Sequence, residues 1–328
     1  MDAVSVVDYH TAGEPFRIVT SVDVPGASVP DRRVAAQSSG SIDAVRRLLV
    51  NEPRGHADMY GCFVVPGNDD GADFGVLFWH KDGYSTACGH GTIALGTWAV
   101  ETGLVPAAAD GATDVVIDVP SGRVVARVTC SGGAVTGVAF RNVPSYVVDR
   151  AVPVSTSRGE VVADISFGGA FYASVPASSV GLAVQPSSYS ELVAIGREIK
   201  WALNSVAVHP TDPRLSGLYG TILYDDLGSV DGNPHQRNLT IFADGEADRS
   251  PCGSGTSARL ALLHDEGLLG PGQVLHHDSI VGTTFLGRVV EETAAGVITE
   301  VEGAAYRTGT ATFTLDPRDP VGTGFTLR

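Results

Sequence analysis

The sequence predicts an α/β (α+β) chain built as two pseudo-symmetric halves, and three observations carry that expectation. Cys88-Gly89-His90-Gly91-Thr92 recurs as Cys252-Gly253-Ser254-Gly255-Thr256, each followed by an apolar run. Gly122-Arg123-Val124-Val125 recurs as Gly287-Arg288-Val289-Val290, so a shift of 164 residues between the cysteines and one of 165 between these segments define a single register. A looser match joins VVDYHTAGEPFRIV, from Val6, to VVADISFGGAFYASV, from Val161, both reading as strand, glycine turn and strand.

Each half runs as β-rich segments, the Cys-Gly motif, one amphipathic helix and a closing pair of strands. Strands are expected over 117–119, 124–128, 135–140, 161–165, 239–242 and 312–315, where β-branched residues lie between Gly, Pro, Asp or Ser turns. After Thr92, the residues Ile93, Leu95, Trp98 and Val100 share a helical face, while the glycines around Cys88 are too flexible for a helix interior. Cys88 is therefore expected at a helix N-terminus. A further helix over 189–203 sets Leu192, Ile195, Ile199 and Ala202 on one face, with Gly196 as its weak point. A length of 328 residues implies two domains of roughly 150 residues each. The boundary is expected between Val143 and Ser157, giving 1–150 with Cys88 and 151–328 with Cys252; the last strands have the option of completing the first domain. Packing about a pseudo-twofold axis would turn the two helix N-termini toward one cleft between the domains.

A hydrophobic fraction of 43% with 18% charged residues marks a globular core, and no apolar run reaches the roughly 18 residues of a membrane span. The start, MDAVSVVDYH, has neither a basic nor an apolar leader region, so a cytoplasmic address is expected. A formal charge of −15 weighs against nucleic acid or an anionic membrane as partner, but not against a small zwitterion. The four cysteines are too few and scattered for a disulfide framework, so they are expected as thiols. A homodimer is left open.

The first turn of a helix leaves N–H groups unpaired and holds an anion without a basic side chain. Two such termini could fix one carboxylate, and the same positive potential would lower the pKa of an adjacent cysteine. Two thiols on opposite faces of a bound carbon suit inversion of configuration, one removing the α-proton and the other delivering a proton to the far side. That scheme needs no metal and no cofactor.

These residues resemble the proline racemase family, which includes proline racemases, 4-hydroxyproline 2-epimerases and trans-3-hydroxyproline dehydratases. The resemblance spans five ordered motifs: HTAGEPFRIV from His10, EPRGHADMYG from Glu52, ACGHGTIAL from Ala87, FGGAFYA from Phe167 and DRSPCGSGTSA from Asp248. It implies a fold similar to diaminopimelate epimerase, with the site between the domains. It also implies Cys88 and Cys252 as the two bases, His90 and Asp248 as flanking polar residues, and the N–H groups of Gly89, His90, Gly253 and Ser254 as a carboxylate cradle. Tyr60 and Phe242 fall where the family places pocket walls.

The implied partner is an imino acid. Dehydratases of the family typically carry threonine in place of the second cysteine, so Cys252 favours racemisation or epimerisation of proline or hydroxyproline. The bulk of Tyr60 favours proline, while DMYG and GGAFYA look like the dehydratase and proline racemase branches. Dehydration of trans-3-hydroxy-L-proline is the alternative reading, and a binding protein without chemistry a further one.

The two Cys-Gly motifs suit three rival chemistries poorly. CGHGT and CGSGT lack the lysine of a P-loop; a zinc site from Cys88, His90 and Cys252 would tie up the thiols; a cysteine-protease pair would leave the second matched cysteine unused. Cys62 and Cys130 are expected as structural thiols, His10 and His56 as turn residues, and His276 and His277 as surface residues. Asp248 in Asp-Arg-Ser-Pro could equally be a turn residue.

Overall fold

The computed structural model describes residues 3–327. The chain divides into two compact units. The first comprises the residues up to Thr86, Gly91–Val138 and those from Ala304 onward; the second comprises Ala87–His90 and Ala139–Gly303. Residue 150, the expected boundary, lies inside strand Tyr146–Thr156.

In the first unit, strands Val4–Thr11 and Glu14–Val19 form a hairpin across Ala12-Gly13, whose positive φ angles of 52° and 97° suit the right-handed strand twist. Strand Ala305–Phe313 pairs antiparallel with Val4–Thr11. Glu14–Val19 runs parallel to Gly61–Val65, and a parallel step needs a crossover. Helices α1 (Val29–Ser38) and α2 (Gly40–Val50) supply it, their N-termini capped by the hydroxyls of Ser28 and Ser39. Neither helix was expected from the sequence, although Ile42, Val45 and Leu49 share one face of α2 and the serines three residues ahead of Asp31 and Ile42 carry a capping signal. Phe74–His80 likewise runs parallel to Gly111–Val119, and α3 (Gly89–Glu101) makes that crossover. From Gly91 to Ala99, α3 is buried on every side. At Gly96 even a methyl group would come within 2.7 Å of Ala126, so glycine is what lets this helix lie on the sheet.

The sheet of the second unit runs through Tyr146–Thr156, Gly159–Phe167, Phe171–Pro176, Leu218–Val230, Asn233–Phe242, Leu275–Ser279, Thr284–Thr293 and Gly296–Gly303. Two of these neighbours are parallel, Phe171–Pro176 with Leu218–Val230 and Asn233–Phe242 with Leu275–Ser279. The two remaining helices bridge them. Helix α4 (Tyr189–Ala202) buries Leu192, Ile195 and Ile199 as expected but leaves Ala202 exposed at its end, and Gly196 belongs to the buried face because a Cβ there would meet Ile241 at 2.8 Å. Helix α5 (Gly253–Asp265) is buried from Gly253 through Leu263 and packs on strands from both ends of the sheet. A helix with no polar face has to be enclosed, and its run of Gly, Ser, Thr and Ala lets strands approach closely.

Cys62 and Cys130 lie buried within strands Gly61–Val65 and Gly122–Ser131, and all four cysteines are free thiols. Among the described residues, no helix is long and apolar enough to cross a membrane.

Candidate active site

Asp248 ends the short strand Glu246–Asp248 and then organises the turn that presents Cys252. Its Oδ1 accepts from the Ser250 backbone N–H at 2.8 Å and from the Ser250 hydroxyl at 2.7 Å. The Ser250 oxygen in turn accepts from the Cys252 N–H at 3.0 Å. Cys252 has φ 64°, in the left-handed region that non-glycine residues adopt only when their surroundings hold them there. Its Sγ lies 3.8 Å from the Tyr172 hydroxyl, which shares a 2.7 Å hydrogen bond with Ser254 Oγ. Gly255 leaves room for this sulfur, since a Cβ there would stand 2.9 Å from it.

Cys88, Gly89 and His90 enter the second unit as the start of α3. A Cβ on Gly89 would lie 2.5 Å from Gly253 Cα and 2.7 Å from Ser254 N; one on Gly253 would lie 2.7 Å from Gly89 Cα. The two opening turns thus touch backbone to backbone, which glycine alone permits. Their N–H groups carry the partial positive charge of a helix start, and two such starts side by side suit a carboxylate. Cys88 Sγ lies 3.5 Å from His90 Nδ1, and His90 Nδ1 lies 3.8 Å from Asp248 Oδ2. The two oxygens of Asp248 therefore have separate tasks, Oδ1 in the turn and Oδ2 facing the imidazole. Asp248 is thus a turn residue that also faces His90.

Burial dominates the electrostatics. It lowers the His90 pKa to about 3, helped by the charge of Arg249, so the imidazole is neutral near pH 7. It raises Asp248 to about 6 against the opposing hydrogen bonds from Ser250. The contact between them is consequently carboxylate to neutral imidazole and not an ion pair. Burial, followed by the charge of Asp248, pushes the Cys252 thiol above its ordinary value. The expectation that a helix start would lower it is corrected here: desolvation and a neighbouring carboxylate outweigh the partial charge of the helix.

These shifts have opposite consequences for stability. His90, depressed in the folded state, costs stability as pH falls from about 6.5 toward 3. Asp248, raised in the folded state, gains stability as pH falls through about 6 toward 3.8. Between pH 6 and 4 the two offset. Asp248→Asn keeps the Oδ1 acceptor and removes the offset, so its stability relative to wild type should drop by about 1.4 kcal/mol per pH unit over that window. Urea midpoints at pH 6, 5 and 4 check this; parallel curves for the two proteins would contradict it.

Phe242 is buried in the same unit and stacks on Tyr219 at 5.6 Å, and Tyr219 meets Tyr172 edge-on at 5.7 Å. An aromatic row thus connects Phe242 to the ring beside Cys252. Tyr172 was not singled out from the sequence, although FGGAFYA contains it. Tyr60 lies in the first unit, buried, its hydroxyl bonded to that of Ser85 and its ring near Phe16 and His80. His10 departs from the turn expected for it: it lies in strand Val4–Thr11, paired with Pro15 and Tyr306, and its Nδ1 accepts from Gly13 N across the hairpin; His56 lies in the irregular segment just ahead of Ala57-Asp58, bonded to Ala57 O. His277 departs from expectation: it is fully buried, because the strand Leu275–Ser279 alternates and turns His277 inward while His276 faces partly outward.

The proline racemase family model matches residues 6–326. A trans-3-hydroxy-L-proline dehydratase of Burkholderia cenocepacia is 45% identical, covering 99% of this chain and 98% of its own. A 3-hydroxyproline 2-epimerase of Burkholderia multivorans is also 45% identical, with the same coverage of both chains. Among solved structures, a hydroxyproline epimerase from Agrobacterium vitis with bound trans-4-hydroxy-L-proline superimposes with a TM-score of 0.92 at 30% identity, covering 99% of this chain and 96% of that one. With the fold, the paired Cys-Gly motifs and all three comparisons in agreement, this chain belongs to the proline racemase family of enzymes.

Proposed function

We propose that the enzyme removes the α-proton of trans-3-hydroxy-L-proline and expels the 3-hydroxyl, forming a pyrroline carboxylate and water. The observation that carries this reading is that relatives similar over nearly the whole chain are named for 3-hydroxyproline, the dehydratase and the epimerase alike. Proline itself, favoured by the bulk of Tyr60, has less support. The local geometry is suited to the reaction: two thiols, a neutral imidazole and a carboxylate gather at the joined starts of α3 and α5.

The substrate carboxylate sits on the N–H groups of Gly89, His90, Gly253 and Ser254, where charge developing on it during proton loss is stabilised. Phe242, stacked on Tyr219, is assigned to the wall of the ring pocket. Cys252, raised in pKa, starts as the thiol, so Cys88 is the base. In the trans isomer the carboxylate and hydroxyl are on opposite faces of the ring, which puts the α-hydrogen and the hydroxyl on the same face. The Cys88 thiolate takes the α-proton, the C–H electrons become the C2–C3 double bond, and the departing hydroxide recovers that proton from Cys88. The resulting enamine tautomerises to the cyclic imine.

Inversion is the second reading, and Cys252 is the observation in its favour. Dehydration uses one face of the ring, whereas inversion needs a proton donor on the other, and a thiol is present where family dehydratases typically have threonine. Proton NMR in D2O with trans-3-hydroxy-L-proline separates the two outcomes. Loss of the C3 hydroxymethine with appearance of pyrroline carboxylate supports dehydration; a cis-3-hydroxy-D-proline deuterated at Cα supports inversion. An unchanged spectrum overturns both.

A further inference from the structure

The left-handed backbone of Cys252 raises the question of what holds it, and the answer lies beneath the turn. The Pro251 carbonyl accepts from Asn238 Nδ2 at 2.9 Å and from Thr256 Oγ1 at 3.3 Å. Asn238 Nδ2 also lies 2.9 Å from His277 Nε2, and His277 Nδ1 lies 2.8 Å from Thr256 Oγ1. All four residues around this ring are buried.

Donor chemistry orients every member. A carbonyl only accepts, so the Asn238 amide must present its NH2 to Pro251, and the Asp278 carbonyl at 3.4 Å from the same nitrogen agrees. That NH2 has nothing to accept with, so His277 Nε2 carries the lone pair and Nδ1 the proton. Nδ1–H then donates to the Thr256 hydroxyl, leaving the hydroxyl proton for Pro251. The Asn238 Oδ1 accepts from the Thr240 hydroxyl at 3.2 Å, which completes the amide. A second proton on His277 would set N–H against N–H; burial, which lowers its pKa to about 3, keeps the ring neutral.

We propose that His277, as its Nδ1–H tautomer, is a positioning residue that fixes the Pro251–Cys252 peptide and so aims the Cys252 thiol. The peptide plane is held at both ends: its oxygen by Asn238 and Thr256, and its N–H by Ser250, itself tied to Asp248. Proline has no N–H of its own, so the carbonyl is the remaining backbone handle just ahead of the sulfur. Holding φ of Cys252 at 64° needs such a frame, and α5 starts from it, with Thr256 N donating to Cys252 O at 2.7 Å. The inference rests on Cys252 acting on substrate.

Two readouts on the full chain test it: alkylation of Cys252 relative to Cys88 by iodoacetamide, followed by peptide mass spectrometry, and inversion of trans-3-hydroxy-L-proline to cis-3-hydroxy-D-proline, the step that draws on the Cys252 thiol. His277→Leu breaks the ring, so Cys252 should leave its buried setting and label about tenfold faster while Cys88 stays within about twofold, and inversion should fall about tenfold or more. His277→Gln, neutral with one donor and one acceptor, should restore most of both. Thr256→Val and Thr256→Ser repeat the contrast with a smaller change of volume, in case the leucine variant does not fold. A Cys252 to Cys88 labelling ratio that stays at the wild-type value in His277→Leu and Thr256→Val, or that serine and glutamine fail to restore, overturns the proposal. If the functional reading is what fails, inversion is silent in wild type while the labelling contrast persists.

Discussion

Cys252→Ser is expected to retain dehydration of trans-3-hydroxy-L-proline while losing inversion at the α-carbon by about a thousandfold, and Cys88→Ser to lose both by a similar factor. The asymmetry follows from which face of the ring each step uses. Taking the α-proton and returning it to the hydroxyl both occur on the face of the base; delivery to the mirror configuration requires the opposite sulfur. A serine hydroxyl is too weak an acid and too poor a base at neutral pH to stand in for either group. Single-turnover NMR on each variant, with the wild type beside it, measures both reactions at once. Equal loss of dehydration in the two variants would mean that elimination also draws on Cys252, and full activity in Cys88→Ser would end the assignment of Cys88 as base.

Gly89→Ala should be nearly as damaging without touching a functional side chain. Its methyl would stand 2.5 Å from Gly253 Cα, and backbone cannot yield as the tip of a side chain can. The opening turns of α3 and α5 would have to part, moving the N–H groups proposed to hold the substrate carboxylate. A loss of about a hundredfold in kcat/KM is expected, together with about 1–3 kcal/mol of stability from overpacking. Gly253→Ala meets the same backbone from the other side and should behave alike. Gly40→Ala is the control, because no atom lies within 4 Å of its added methyl and alanine suits the start of α2. Turnover in Gly89→Ala within threefold of wild type would show that the contact between the two turns is not needed.

Much of this enzyme is legible in the order of its residues. The doubled Cys-Gly motif placed Cys88 and Cys252 at two helix starts, and α4 emerged with the buried face that Leu192, Ile195 and Ile199 define. These are local properties: glycine frees the backbone, and apolar spacing marks a helical face wherever it is set. Helix α1 escaped notice because it buries only Val29 and Ala36, whereas α2 was missed although Ile42, Val45 and Leu49 share one face; both also carry a serine cap.

Which chemistry follows proton removal was the least legible, since elimination and inversion begin with the same step and share the same motifs. Further properties had no local basis at all. Two consecutive histidines, His276 and His277, cannot declare which faces inward until their strand is paired, and the tautomer of His277 depends on Asn238 and Thr256, 39 and 21 residues away. The pKa directions of Asp248, His90 and Cys252 reverse or exceed what helix starts would give, because burial is a sum over everything the chain brings around a group. Glycine placement and apolar spacing along the chain were enough to supply the parts and their doubling. Protonation, orientation and the backbone strain at Cys252 came only with packing, since each of them is set by neighbours distant along the chain.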